Sequence, residues 1–342
     1  MKRNLYIGEF PPPMGGVTVK NALIKRYIYY NSNIDYFDLY SCKRNPINFM
    51  SLFFKLIAVD GNIIFGVGQN KRLKLLLQLI RYFKGKKKLS DCSIIMMGST
   101  LQLYSKNNSK IRTYLQHVKG IYTESNIINQ DFAAQGIFQT FYFPNCRALS
   151  PKSYGGKVLK KESMRLVFFS RVCKEKGAHY LFEIITSLNE AGIPVELDFY
   201  GVIAPEYKTE FENSIKNTPN TVYRGIFDSS KDDVYKKLHE YDLLLFPTTW
   251  KGEGVAGILI ESKFAGIPSI VTNHNYNSEV VLDGKEGKTV STNDIVNDFV
   301  RIIIDLYNDE QSYKKLAEGA WQSRKRYDIE NYKNILLKAI EE

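Results

Sequence analysis

Apolar residues in this chain alternate between two patterns. Short apolar runs at 5–10, 34–39, 62–67, 93–97, 120–123 and 139–143 read as buried strands. Between them lie stretches with helical spacing at 16–30, 46–58, 71–83, 106–117 and 125–134. Near-continuous apolar strands that alternate with helices predict a parallel sheet covered on both faces. The pattern breaks at 146–163, where Pro151, Ser153, Gly155, Gly156 and several lysines read as a linker. It then restarts, with strands at 166–169, 196–200, 222–224, 242–246 and 268–271 and helices at 177–191, 206–216, 232–239 and 255–265. From Asp294 onward only helix is expected.

The expected fold class is therefore α/β, two doubly wound Rossmann-like domains facing each other across a cleft. Ligands in such folds bind at the carboxyl ends of the strands. The expected boundaries are 1–148 for the first domain, 149–163 for the linker and 164–325 for the second domain. A helix over 326–342 can cross back to the first domain. At 342 residues the chain has the length of two such domains.

Charge changes the picture because it is uneven. Of the formal +11, residues 1–150 carry 21 Lys and Arg against 7 Asp and Glu, and the remainder carries 26 against 29. A basic first half matches an anionic surface or acceptor. Its densest part runs from Lys71 to Lys88, where Lys71, Lys74, Gln78 and Arg81 share a narrow polar face. The wide apolar arc opposite fits two readings: a packed helix with a solvated lysine tail, or a helix that offers Leu75, Leu79 or Tyr82 to lipid. No nucleic-acid recognition motif accompanies the charge, so nucleic acid is not an expected partner.

The four cysteines, Cys42, Cys92, Cys146 and Cys173, lack metal-ligand or redox spacing and read as unpaired thiols. The N-terminus has no signal-peptide core, and no run approaches the length of a membrane span. A cytoplasmic protein is expected, compatible with a peripheral position at the inner face of the membrane.

Candidate chemistry falls in the turns after strands. Gly15-Gly16 heads a helix and can bring backbone N–H groups to an anion. Arg171 and Lys176 lie between a strand and a helix, where a guanidinium and an ammonium can neutralise a diphosphate or form a solvated cluster. Gly201 and the turn Tyr223-Arg224-Gly225-Ile226-Phe227 could flank a nucleotide base. The stretch Trp250–Glu261 places Glu253 and Glu261 eight positions apart, with Gly254, Val255, Ala256 and Gly257 between them at a helix start. Carboxylates accept hydrogen bonds from sugar hydroxyls, and helix-start amides favour phosphate. Taken alone, the same pair also fits a loop charge and a helix-surface charge. Asp232-Asp233 lacks the spacing of a D-x-D metal motif and reads as helix-start charge.

In order and spacing these elements resemble the retaining glycosyltransferases of family 4, which have the GT-B fold. Glu253-x7-Glu261 is similar to that family's E-x7-E motif, and Ser170-Arg171 through Lys176-Gly177 to its G-R-x4-K-G motif, with Ser170 in place of glycine. Gly15-Gly16 matches the N-terminal glycine loop, while Tyr122-Thr123-Glu124-Ser125 and Pro144-Asn145 resemble signposts near the end of the first domain. The resemblance implies that Glu253 binds donor-sugar hydroxyls, Glu261 the ribose, and Arg171 with Lys176 the departing diphosphate. The Gly254–Gly257 amides would face the sugar and phosphate. It implies a nucleotide-diphosphate sugar as donor substrate, no cofactor or bound metal, and a glycan or lipid-linked acceptor in bacterial surface polysaccharide synthesis. Two positions depart from the family: Ala256 stands for a glycine, and Gly98-Ser99-Thr100 replaces a histidine turn, with His117 further on in an expected helix. A nucleotide-sugar epimerase and a non-catalytic, membrane-associated partner subunit are the alternatives.

Overall fold

The computed structural model describes residues 2–12, 15–30, 32–149, 154–159, 162–229 and 231–341. Pro13 and Met14 of the glycine loop, and much of the expected linker, lie outside the described residues. Contacts divide the chain into two compact units, Met1–Leu149 with Tyr327–Glu342, and Ser150–Arg326.

The first unit begins β1 (Asn4–Gly8), α1 (Gly16–Tyr27), β2 (Ile34–Asp38), α2 (Leu39–Arg44), α3 (Asn48–Ala58), β3 (Ile63–Gly66) and α4 (Asn70–Lys84). It continues β4 (Cys92–Ile95), α5 (Leu101–Lys106), α6 (Ser109–Leu115), β5 (Gly120–Thr123), α7 (Asn126–Ala133) and β6 (Thr140–Tyr142). Its six strands are all parallel, in the order β2-β1-β3-β4-β5-β6. β3, β4 and β5 are buried along their whole length, as apolar strands covered on both faces must be.

The second unit runs β7 (Met164–Phe169), α8 (Ala178–Glu190), β8 (Val195–Tyr200), α9 (Lys208–Asn217), β9 (Thr221–Gly225), α10 (Val234–His239), β10 (Leu243–Phe246) and α11 (Gly257–Phe264). Then come β11 (Ser269–Thr272), α12 (Asn277–Val280), β12 (Gly287–Val290), α13 (Ile295–Asn308) and α14 (Glu310–Ser323). This sheet is also parallel, in the order β12-β11-β10-β7-β8-β9. Strand order therefore reverses between β7 and its neighbours β10 and β8, and the crevice at such a switch point is the usual ligand site.

The chain then turns into α15 (Lys333–Leu337), whose segment belongs to the first unit. Tyr29 OH donates to the carbonyl of Leu336 (2.8 Å), and Ile329, Leu336 and Ala339 are buried with Tyr6, Ile64 and Phe143.

Several elements differ from the sequence expectation. The expected helix 106–117 is the shorter α6, which starts only after Asn108, the cap that accepts from the Ile111 amide; α5 precedes it as a separate helix. β12 has no sequence signal, since an edge strand reading Gly-Lys-Thr-Val is buried only at its ends. The described part of the linker is not free: Lys157 Nζ donates to the Tyr241 carbonyl (2.8 Å) and lies 3.2 Å from Asp242, and Leu159 enters the core of the second unit.

Candidate functional site

The loops after β7 and β10 meet at Gly177 and Pro247, because the glycine carries no side chain at the point of closest approach. Gly177, the residue before α8, has φ +79, and a Cβ there would lie 2.1 Å from the Pro247 carbonyl oxygen. Only glycine combines a left-handed backbone with that spacing. Thr249 N donates to the Glu175 carbonyl (2.9 Å), which ties the two loops together.

This approach brings Lys176 to Glu253. Their side chains, 12% and 5% exposed, form a direct ion pair, and Thr248 Oγ1 donates to the same carboxylate oxygen at 3.1 Å. The Lys176 ammonium also lies 4.9 Å from the Trp250 ring centroid and 5.4 Å from that of Phe246. A buried charge needs such partners, since desolvation disfavours it. The loop backbone is held from β11: Asn275 Nδ2 donates to the Glu253 carbonyl (3.0 Å), a His274 ring nitrogen meets the Trp250 carbonyl (2.9 Å), and Thr272 Oγ1 donates to the Thr248 carbonyl (2.5 Å).

Arg171 lies at the end of β7 but points outward, 58% exposed, with Glu206 at 3.5 Å. So exposed a pair is weak, and the fork of the guanidinium stays available to a phosphate. Glu261 sits half-buried in α11, eight positions after Glu253. Gly254, Ala256 and Gly257 are half-buried and Val255 is buried. Ala256 is the N-cap of α11 with φ −65, a conformation open to any residue, so the loss of glycine here strains nothing. It offers no side-chain cap, and the first amides of α11 keep their partial positive charge.

Other expected residues have structural tasks. Gly201 has φ +139, and a Cβ there would lie 1.9 Å from the Ser170 carbonyl oxygen, so it permits β7 and β8 to end side by side. Within β9, Tyr223 OH donates to the Gly201 carbonyl and Arg224 turns to Asp198 (2.9 Å), and in the turn after it Phe227 packs on Phe169 and Tyr200. Asp233 caps α10 through the Tyr235 and Lys236 amides. His117 lies beyond α6, where a ring nitrogen meets the Thr113 carbonyl at 2.7 Å. Burial pushes the Cys173 thiol up, and all four cysteines are buried and free.

In the first unit Gly15 and Gly16 open α1 in solvent, where an added Cβ would meet nothing within 4 Å. Beyond the strand ends lie two ion pairs that sequence reasoning did not register. Lys20 is buried against Glu124 and donates to the Met96 carbonyl (3.0 Å), while Arg72 pairs with Glu9. Ser125, in the same signpost as Glu124, caps α7. Among the described residues no group of three or more His, Cys, Asp or Glu side chains could hold a metal ion.

With this geometry in place, comparison with known proteins assigns a family. Residues 155–323 match the model of glycosyl transferases group 1. An uncharacterized 41.2 kDa protein in the cps region of Klebsiella pneumoniae is 30% identical over 45% of this chain and 40% of its own length. The UDP-Gal:alpha-D-GlcNAc-diphosphoundecaprenol alpha-1,3-galactosyltransferase of Escherichia coli is 25% identical over 44% of this chain and 38% of its own. The matches thus span about two fifths of these curated relatives. The crystal structure of Anabaena Alr3699/HepE with UDP and glucose aligns over 99% of both chains, with a TM-score of 0.71 at 14% identity. That likeness establishes the α/β GT-B fold for the chain. It is thus residues 155–323, which hold Arg171, Lys176, Glu253 and Glu261, that match the glycosyl transferases group 1.

Proposed function

We propose that this protein transfers a sugar, with retention, from a nucleoside diphosphate sugar to a glycan or lipid-linked acceptor in surface polysaccharide synthesis, without a resident metal. The observation that carries this reading is the Lys176–Glu253 pair at the ends of β7 and β10, beside the uncapped start of α11. The names of relatives support it: a UDP-galactose-dependent enzyme acting on a diphosphoundecaprenol acceptor, a protein in a cps region, and a fold relative with UDP and glucose bound.

In the reaction the bond from the anomeric carbon to the diphosphate oxygen breaks, and its electron pair leaves with the diphosphate. The acceptor oxygen bonds to that carbon on the same face, and its proton passes to the departing phosphate. The protein's task is to stabilise the charge that grows on the leaving group. Arg171 offers its fork from the rim, and the α11 amides offer their dipole. Lys176 has three N–H donors, so it can keep Glu253 and still donate to a phosphate oxygen. Glu253 accepts from sugar hydroxyls and Glu261 from the ribose. Acceptor binding falls to the first unit, in a cytoplasmic protein.

Glu253→Gln is expected to lower UDP release from UDP-glucose, UDP-galactose or UDP-N-acetylglucosamine at least about 100-fold, with UDP affinity retained. Calorimetry with UDP and a coupled UDP-release assay separate the two effects. Wild-type turnover in that variant overturns the assignment.

A further inference from the structure

Helix α3 carries an apolar face that its own unit leaves uncovered. Leu52 and Leu56 are its buried residues, whereas Phe49, Met50 and Phe54 are 60%, 61% and 60% exposed. Ile47, just before the helix, is 69% exposed. The face continues onto the end of α4: Phe53 packs edge-on against Phe83 (5.0 Å), and Tyr82 beside it is 81% exposed. Contiguous exposed surface of this kind marks an interaction site.

Its border is basic. Between residues 39 and 90 there are eleven Lys and Arg and one acid, Asp60. Lys84 Nζ donates to the carbonyls of Ile57 and Val59 at the end of α3, and Lys86 and Lys87 stand exposed just beyond. Of the acids that face this border, Asp35 and Asp38 pair with Lys55 and Arg44, and Asp91 pairs with Lys88 (3.0 Å), while Lys86 and Lys87 stay exposed. Eleven residues make a helix about 16 Å long, too short for the roughly 30 Å hydrocarbon core. Among the described residues no helix is long and apolar enough to cross a membrane. An apolar aromatic face with an excess of Lys and Arg at its border instead fits a surface that is apolar beneath and anionic above.

We infer that α3 and the end of α4 seat the N-terminal unit on an anionic lipid bilayer. Ile47, Phe49, Met50 and Phe54 enter the interface, and the exposed Lys86 and Lys87 meet the headgroups. This refines the sequence expectation: Tyr82 and Leu75 are exposed, but Leu79 is half-buried, and the apolar anchor is α3 rather than the basic run itself. The inference goes beyond the proposed transfer reaction and does not depend on it.

Flotation of the full chain with vesicles tests it. Binding is expected to vesicles that contain phosphatidylglycerol, to weaken as salt rises, and to be weak with phosphatidylcholine alone. Phe49→Ser, Met50→Ser and Phe54→Ser together should lower partitioning about tenfold or more, since each withdraws buried apolar surface. Lys86→Ala and Lys87→Ala should lower it about fivefold each. Circular dichroism should be unchanged, because all five side chains are exposed. Glu253→Gln should float like wild type, which separates failure of the donor site from failure of membrane binding. No flotation at low salt, or undiminished flotation of the triple serine variant, overturns the inference. So does a triple variant that loses a concentration-dependent dimer instead of flotation, which would assign the face to a second copy.

Discussion

Lys176 and Glu253 illustrate how a candidate site residue can also be a structural one. Glu253 is buried and Lys176 nearly so, they pair with each other, and removal of one leaves an uncompensated charge. Lys176→Met is therefore expected to destabilise the second unit by roughly 3 kcal/mol, more than Glu253→Gln, which keeps the Thr248 hydrogen bond. Urea titrations of the two variants make the comparison. Gly177→Ala should cost about 1–3 kcal/mol from its left-handed backbone, and the clash with Pro247 should part the two loops and weaken UDP binding as well. The carboxylates and cations of this site were legible because their spacing and order follow a known motif. Thr248, Trp250, His274 and Asn275 were not, because each acts through a contact across loops that no local pattern records.

At the level of elements, α11 is anchored from behind by charge. Lys263, on the face away from solvent, donates to Glu286 before β12 (2.7 Å), and Glu286 also accepts from Arg326 (2.9 Å). Burial lowers the pKa of Lys263 from 10.5 to about 8, against the opposing pull of Glu286. The folded-state value lies below the unfolded one, so between pH 8 and 10.5 the unfolded chain holds the proton that the folded chain has released. Stability from this group is fully present above pH 10.5 and is lost as pH falls through 8. Denaturation midpoints of wild type and Lys263→Met, taken at steps across this window, should converge at low pH in the variant's favour and separate in the wild type's favour at high pH. Elements themselves were readable where apolar periodicity was strong, as in β3, β5 and α8. They were lost where it was weak, as in β12, and boundaries moved where a cap set a helix start, as at Asn108.

Across the whole molecule, the chain's last residues complete its first unit. Ile329, Leu336 and Ala339 fill the core beside β1 and β3, and Asn62 Nδ2 donates to the Ile340 carbonyl (3.1 Å). Truncation before Lys333 should speed hydrogen exchange in β1, β3 and β4 and leave the amides of β7, β8 and β10 unchanged. Equal loosening in both sheets would contradict the division into units. The alternation of apolar runs and helices, the break near residue 150 and the order of the motifs determined the fold class and the candidate site chemistry, because periodicity and local motifs are written in consecutive residues. Tertiary structure alone decided that Lys176 rests on Glu253, that Gly201 serves packing, and that α3 stays uncovered. Each of these depends on which distant segments meet, and amphipathic spacing in a helix such as α3 does not tell whether its apolar face turns to a core or away from one.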